Sequence, residues 1–320
     1  MGVNELKEAL IFLCKGQFWR MAVMWTISLI LSYLQVFAQR HYSRKSKFYE
    51  RSSPLLFTAS SNPAIASIKK PICIITGASS GLGAAVSYAL AKEGYYVVVA
   101  GRSLHSLSMI VSEIQEQIDD ASVKAFQVDL SSYKSILSFK HALQQWLLDS
   151  DLHCSVQLLI NNAGILATSY RITAEQCDQM MSTNYIGPFC LTKLLLPLLE
   201  QSPVPSRVVN VTSFTHRNGS AADPGAVKTN IMREIPSCLS WFAFYILNLL
   251  GLLQSPEVGI DSVLDAVHAP PETSGVYFFG GNGRTLRSSR LSYNSKLAKD
   301  LWDDSSQIFL ERQLAYRDKT

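Results

Sequence analysis

From residue 71 onward, short uninterrupted apolar runs alternate with segments of helical periodicity. Ile72, Ile74 and Ile75 around Cys73 form the first run, and the stretch from Ala84 to Lys92 reads as the helix that follows it. Tyr95–Ala100 predicts a second strand, Val123–Val128 a third, Val156–Ile160 a fourth and Arg207–Val211 a fifth. Glu175–Leu199 reads as a long helix containing Asn184, with Gly187-Pro188 as a local irregularity. Val276–Phe279 predicts the last strand, and Ser295–Leu310 an amphipathic C-terminal helix carrying Trp302. Strands that are apolar on both faces and alternate with helices imply a doubly wound parallel α/β sheet with helices covering each side.

Two further apolar stretches do not fit that alternation. Met21–Ala38 is eighteen residues without a charge, just long enough for a bilayer core. Its Val, Ile, Leu and Phe residues each favour insertion by about 0.3–0.6 kcal/mol, partly offset by Thr26, Ser28, Ser32 and Gln35. We read it as a membrane anchor; a cleaved signal peptide or a buried helix are the alternatives. More cations follow it (Arg40, Arg44, Lys45, Lys47, Arg51) than precede it (Lys7, Lys15, Arg20), which places the C-terminal part in the cytosol. Residues 1–20 are then a tail, 39–69 a linker containing the Ser-rich stretch with Pro54 and Pro63, and 70–320 the folded domain. The few acidic residues of the linker leave an organellar transit segment open. The second stretch, Cys238–Leu253, is almost wholly apolar and reads as a lid or membrane contact, a core helix, or a second span.

Composition narrows the function. With 320 residues and 48% hydrophobic content the chain can build a sizeable core. A net charge of +4 without a basic stripe argues against nucleic acid. The six cysteines show no C-x-x-C pair or regular spacing and read as buried thiols in a reducing compartment; we expect no metal.

The candidate chemistry starts at the first strand. It runs into T-G-x-x-x-G-x-G, with Gly77, Gly81 and Gly83, and then directly into a helix. Such a turn lets backbone N–H groups approach a pyrophosphate, which the helix N-terminus then faces with its positive end. This is a dinucleotide site of Rossmann type. The second strand ends in Gly101-Arg102-Ser103, where an NAD enzyme carries an acidic residue; an arginine there accommodates a 2′-phosphate and favours NADP(H).

TGASSGLG, Asp129-Leu130, NNAG at 161–164, the Asn184 helix, VVNVTS ending at Ser213 and DPGAVKT at 223–229 occur in this order. Together they resemble the short-chain dehydrogenase/reductase family. The apolar N-terminal segment, SPEVG at 255–259 and SGVYF at 274–278 resemble its retinol-dehydrogenase-like branch. The resemblance implies that Gly77, Ser79, Gly81, Leu82 and Gly83 line the pyrophosphate and that Arg102 meets the 2′-phosphate. It implies that Asp129 and Leu130 flank the adenine, and that Asn161, Ala163 and Gly164 border the ribose. Pro224, Gly225, Val227 and Thr229 would hold the nicotinamide end. Asn184 would support a proton-relay water, and the Ser213 hydroxyl would orient the substrate oxygen. It further implies an NADP(H)-dependent oxidoreductase of a lipophilic alcohol or carbonyl (retinoid, steroid or polyprenoid) at the endoplasmic reticulum membrane.

One departure from the family pattern stands out. The remaining catalytic pair, a Tyr and a Lys spaced Y-x-x-x-K, should lie between Ser213 and Pro224. Those ten residues read FTHRNGSAAD and contain neither. They are also too few for a crossover helix and strand, since a βαβ unit takes about 30 residues or more. An internal deletion is the simplest account, with Ala221-Ala222 as the remnant of a strand. The single Y-x-x-x-K match, Tyr88 to Lys92, falls on the helix after the Gly-rich turn and reads as a decoy. His216 is the other nearby acid/base residue and reads as a solvated loop histidine. The expectation is therefore either an impaired enzyme or a non-catalytic, membrane-tethered nucleotide-binding form.

Overall fold

The computed structural model describes residues 14, 27, 31, 34, 49, 51, 70–150, 152–167, 169–213, 221–224, 226–286 and 290–317. The chain divides into two units: Ser52–Asn210 with Ser289–Thr320, and Met1–Arg51 with Val211–Ser288.

The larger unit is the expected doubly wound layer. Its elements are β1 (Ile72–Thr76), α1 (Gly81–Lys92), β2 (Tyr96–Gly101), α2 (Leu104–Gln117), β3 (Val123–Gln127), α3 (Tyr133–Asp149), β4 (Leu158–Asn161), α4 (Gly187–Glu200) and β5 (Arg207–Asn210). The strands run parallel in the order β3-β2-β1-β4-β5. Every residue of β1 is buried, as the unbroken apolar run requires. Ile136, Phe139, Leu143 and Leu147 of α3 and Cys190, Leu191 and Leu195 of α4 pack on one another beside Ile72, Ile74 and Leu159. The C-terminal helix, Ser295–Arg317, is longer than its periodicity predicts and closes this core. Phe309 meets Tyr133, Trp302 meets Phe189, and Arg312 pairs with Glu175 at 3.0 Å.

The helix read over Glu175–Leu199 starts later. Ile172 and Asp178 form an antiparallel bridge, and Gln176 adopts φ +57. Asp178 then caps a short turn, Gln179–Met181, by accepting from the Met181 N–H. A π-helical stretch, Ser182–Ile186, follows before α4. Pro188 has no N–H to return to the carbonyl four residues back, that of Asn184, so regular α-helical bonding is interrupted where the sequence suggested an irregularity.

The smaller unit is built from short pieces: β6 (Ala221–Asp223), β7 (Ala226–Val227), α5 (Ser237–Leu249), β8 (Leu253–Gln254), α6 (Pro256–Gly259), α7 (Asp261–Val267), β9 (Tyr277–Phe279) and β10 (Thr285–Leu286). β9 pairs with β6 in parallel and with β10 antiparallel, while β7 and β8 pair with each other. Ala221 and Ala222 thus lie in a strand, and Val211 bridges to Ala222 in parallel. The strand expected over Val276–Phe279 is not the last one, because a turn of glycines leads on into β10.

Among the described residues no helix is long and apolar enough to cross a membrane. This removes the second-span reading of Cys238–Leu253, where α5 has only thirteen residues. Met21–Ala38 lies almost wholly outside the described residues; its Ile27, Leu31 and Leu34 are helical and exposed.

Candidate functional site

The end of β1 and the start of α1 form a tight cradle. Gly77 has φ +66, and a Cβ there would stand 2.8 Å from the Ala163 Cα. At Gly83 a Cβ would overlap the Gly77 carbonyl oxygen and come 2.6 Å from Asn162 Nδ2. Only glycine allows α1 to approach the strand end this closely. Ser79 and Leu82 are half-buried in the same turn, and Gly81 opens α1 at φ +56. The Ser80 N-cap makes no side-chain capping bond, and the first turn carries no acidic residue, so the positive helix end is not neutralised by the protein. A pyrophosphate fits this donor set.

Thr76, which the sequence reading passed over, ties the cradle together. Its buried hydroxyl accepts the N–H groups of Asn162 (3.0 Å) and Ala163 (3.1 Å), and Asn162 Nδ2 donates to the Thr76 carbonyl at 2.9 Å. The loop after β4 is thereby fixed against the Gly-rich turn. The only signal for this in the sequence is a hydroxyl residue at the strand's last position.

Along the same sheet edge Arg102 is exposed just beyond β2, its carbonyl accepting from Gln127 Nε2 at 2.9 Å. Asp129 Oδ1 accepts from the Ser131 N–H and hydroxyl, which freezes the bend after β3. Leu130 is buried, and Gly187 must lack a side chain because a Cβ would overlap the Leu130 carbonyl oxygen. Asn161 is buried and donates to Asn210 (2.8 Å) and Thr192 (3.2 Å), so its side chain joins β4 to β5 and α4. Asn184 accepts the Ile165 N–H and donates to the Ile165 carbonyl, both at 2.8 Å, one residue past Gly164. The π-helical stretch therefore holds Asn184 against the loop bordered by Ala163 and Gly164. Cys73 and Cys190 are core thiols, the first pushed well up and the second to about 11, mainly by burial.

Ser213, Pro224, Val227 and Thr229 belong to the smaller unit. Ser213 is half-buried, and its carbonyl accepts from the Tyr277 hydroxyl at 3.5 Å. That hydroxyl also donates to Asp223 Oδ2 at 2.6 Å, beside the buried Pro224. Val227 is in β7 and Thr229 is extended just after it. Gly225 and His216 lie outside the described residues. Tyr88 is half-buried and Lys92 exposed in the last turns of α1, remote from the strand end that α1 leaves.

Residues 71–225 match the family described as short chain dehydrogenase. A polyprenol dehydrogenase of Mus musculus is 36% identical over 294 residues, covering 74% of this chain and 83% of the relative. Retinol dehydrogenase 11 of Homo sapiens is 36% identical over 148 residues; that match covers 46% of this chain and less than half, 44%, of the relative. An actinorhodin polyketide ketoreductase solved with NADPH superposes with a TM-score of 0.53 at 22% identity, over 67% of this chain and 97% of its own. With the glycine cradle, the ordered motifs and these likenesses together, the chain belongs to the short-chain dehydrogenase/reductase family of oxidoreductases, in its retinol-dehydrogenase-like branch.

Proposed function

We propose that this chain binds NADP(H) and derives from an oxidoreductase of a lipophilic alcohol/carbonyl pair, with turnover by this chain itself strongly impaired. The observation that carries the reading is an asymmetry: the Gly-rich turn packs as tightly as a pyrophosphate cradle requires, whereas the ten residues after Ser213 hold no Tyr and no Lys. Bound NADP(H) would donate or accept a hydride. The cradle of Gly77, Ser79, Gly81, Leu82 and Gly83 would hold its pyrophosphate, Arg102 its 2′-phosphate, and Asp129, Leu130, Asn161, Ala163 and Gly164 the adenosine and ribose. Pro224, Gly225, Val227 and Thr229 are the residues for the nicotinamide end. Ser213 would orient the substrate oxygen and Asn184 a water. What is missing is the group that moves the substrate proton, worth about 10²–10⁴ in rate.

An internal deletion as the cause draws support from the polyprenol dehydrogenase match. It runs over 294 positions yet occupies 74% of the 320 residues, about 237, so at roughly 57 positions the relative has residues and this chain none. A crossover helix with its strand, about 30 residues or more, fits in that space. The substrate class follows the retinol and polyprenol dehydrogenase names of these relatives. Attachment to the endoplasmic reticulum membrane through Met21–Ala38, with the folded part cytosolic, completes the reading.

The second reading, a membrane-tethered nucleotide-binding form without catalysis, is favoured by the same ten-residue interval. One experiment separates the two. NADPH binding by the detergent-purified full chain is followed by fluorescence, then NADPH oxidation with retinoid, steroid and polyprenyl aldehydes. Binding with slow turnover supports the first reading, and binding with none the second. Turnover near about 1 s⁻¹, ordinary for an enzyme, overturns the impairment. Failure to bind NADPH overturns both.

A further inference from the structure

The most apolar exposed surface among the described residues is helix α5. None of its residues is fully buried. Trp241 (67% exposed), Tyr245 and Leu249 (71%) make one row along it, and Phe242, Ile246 and Leu250, just past its end, make the next. Residues four apart stack along a helix, so the six side chains form one continuous face. No residue from Pro236 to Pro256 carries a charge. A patch of this kind marks an interaction site rather than an ordinary water-facing surface. Thirteen residues rise only about 20 Å, short of the roughly 30 Å hydrocarbon core, but they suit a helix lying in the plane of the interface. Trp241 and Tyr245 stack with centroids 5.6 Å apart and planes 15° from parallel. Aromatics with polar tips concentrate at headgroup level. Beside them opens a cavity of about 460 Å³, lined among others by Phe244, Leu253 and Lys228.

The chain that leads into this unit indicates what covers the face. The Tyr49 N–H donates to the Gly283 carbonyl at 3.2 Å, and the Tyr49 ring packs edge-on against Phe278. Arg51 Nε donates to Asp265 at 2.7 Å, and its second nitrogen to Asp261 at 3.0 Å. Residues 49 and 51 are thus pinned to the unit that carries α5, eleven residues after Ala38. Eleven steps of extended chain reach at most about 40 Å. A bilayer holding Met21–Ala38 lies within that reach.

We propose that α5 is a second membrane contact: an in-plane helix that seats its Trp241–Leu250 face on the bilayer entered by Met21–Ala38 and opens its cavity toward lipid. The proposal rests on the anchor reading given above. The test uses the full-length chain in phosphatidylcholine vesicles with brominated acyl chains, which quench tryptophans at the membrane. The Trp241 signal is the difference between the native chain and W241F. We expect the chain to float with the vesicles and the Trp241 signal to fall at least two-fold. F242D combined with L249D should still float but lose that quenching. A chain that floats with Trp241 unquenched overturns the docking and leaves the anchor standing. An unquenched Trp241 together with concentration-dependent cross-linking through Cys238 assigns the face to a second copy and likewise overturns it. A chain that does not float overturns the anchor, and the docking with it.

Discussion

The two units keep their strands together by different means. In the larger, five parallel strands share a large apolar cluster with α3, α4 and Phe309 of the C-terminal helix, to which buried Thr76 and Asn161 add polar ties between neighbouring strands. In the smaller, the sheet core is Tyr277, Phe279 and Leu286, and buried carboxylates take over much of the work. Asp265 accepts from Arg51 and, at 2.7 Å, from the Gly283 N–H; Asp223 accepts from Tyr277. The ten-residue connection between β5 and β6 leaves no room for a crossover helix there. The short helix α7 packs on β6 and β9 instead, and beside its buried Val263 and Leu264 it carries Asp265 and its polar pairs. The difference teaches where each unit is vulnerable. A close-packed sheet fails when volume is added, and a polar-clamped sheet fails when one partner of a pair is removed.

The largest expected effect lies in the larger unit. Gly83→Val places a branched side chain where even a Cβ overlaps the Gly77 carbonyl oxygen. The cradle must open, and NADPH affinity should fall more than about 100-fold, since the backbone N–H groups no longer converge on the pyrophosphate. Near-native affinity in a titration of the variant would remove the cradle from the binding site.

Next comes Arg51→Met in the smaller unit, which leaves the Asp265 side chain, 1% exposed, without its counter-charge. Breaking a buried pair costs about 3–5 kcal/mol; Arg51 is 40% exposed and partly screened, so about 2–3 kcal/mol is expected here. Hydrogen exchange should quicken in Tyr277–Phe279 and Thr285–Leu286 and stay unchanged in β1 and β2. An equal change in both units would show that they do not differ as described.

How much of this could be read beforehand follows the same division. The larger unit was legible because its strands are local apolar runs, ICII, YVVVA and LLI, and its turn chemistry sits within eight residues of TGASSGLG. The misplaced helix start before Asn184 has a local cause too, the Ile172–Asp178 bridge, but no periodicity marks a bridge of one residue pair. The smaller unit was largely illegible. Arg51 and Asp265 are 214 residues apart, and nothing in a linker-like composition signals that one cation in it is pinned to a distant helix. Tyr277 and Asp223 are likewise joined across 54 residues. Among the candidate site residues, the glycines, Arg102 and Asn184 stand in motifs that mark them in the sequence, whereas the knot at Thr76 is marked only by a hydroxyl at the strand's end.

Arg102→Asp probes the cofactor edge of the larger unit with a smaller effect. Arg102 is exposed, so the proposed contact with a 2′-phosphate would be screened, and a loss of about ten-fold in NADPH affinity with little change for NADH is expected. Equal affinities for the two cofactors in the native chain would contradict the NADP(H) assignment.

The smallest effect distinguishes the units by pH. Cys190, in the larger unit's core, has its thiol raised from 9.0 to about 11, chiefly by burial, with Arg312 lowering it and Glu175 raising it. A folded-state value above the unfolded one means the stabilisation is fully present below pH 9 and is lost as pH rises through 11, because the unfolded chain releases the proton first. At pH 10 this amounts to about 1 kcal/mol. Cys73, pushed up further by burial, adds to the same trend. The smaller unit's clamp does not titrate in this range: Arg51, lowered by burial but raised overall by its bonds to Asp265 and Asp261, keeps its charge throughout. Protection factors, with the base-catalysed intrinsic exchange divided out, should therefore fall in β1 and α4 before they fall in β9 as pH rises from about 8 to about 10.5. Cys190→Ala should flatten the larger unit's pH dependence by about 1 kcal/mol at pH 10 while leaving that of β9 untouched. If the native chain and the variant lose protection in parallel, the thiol is not what limits the larger core in alkali.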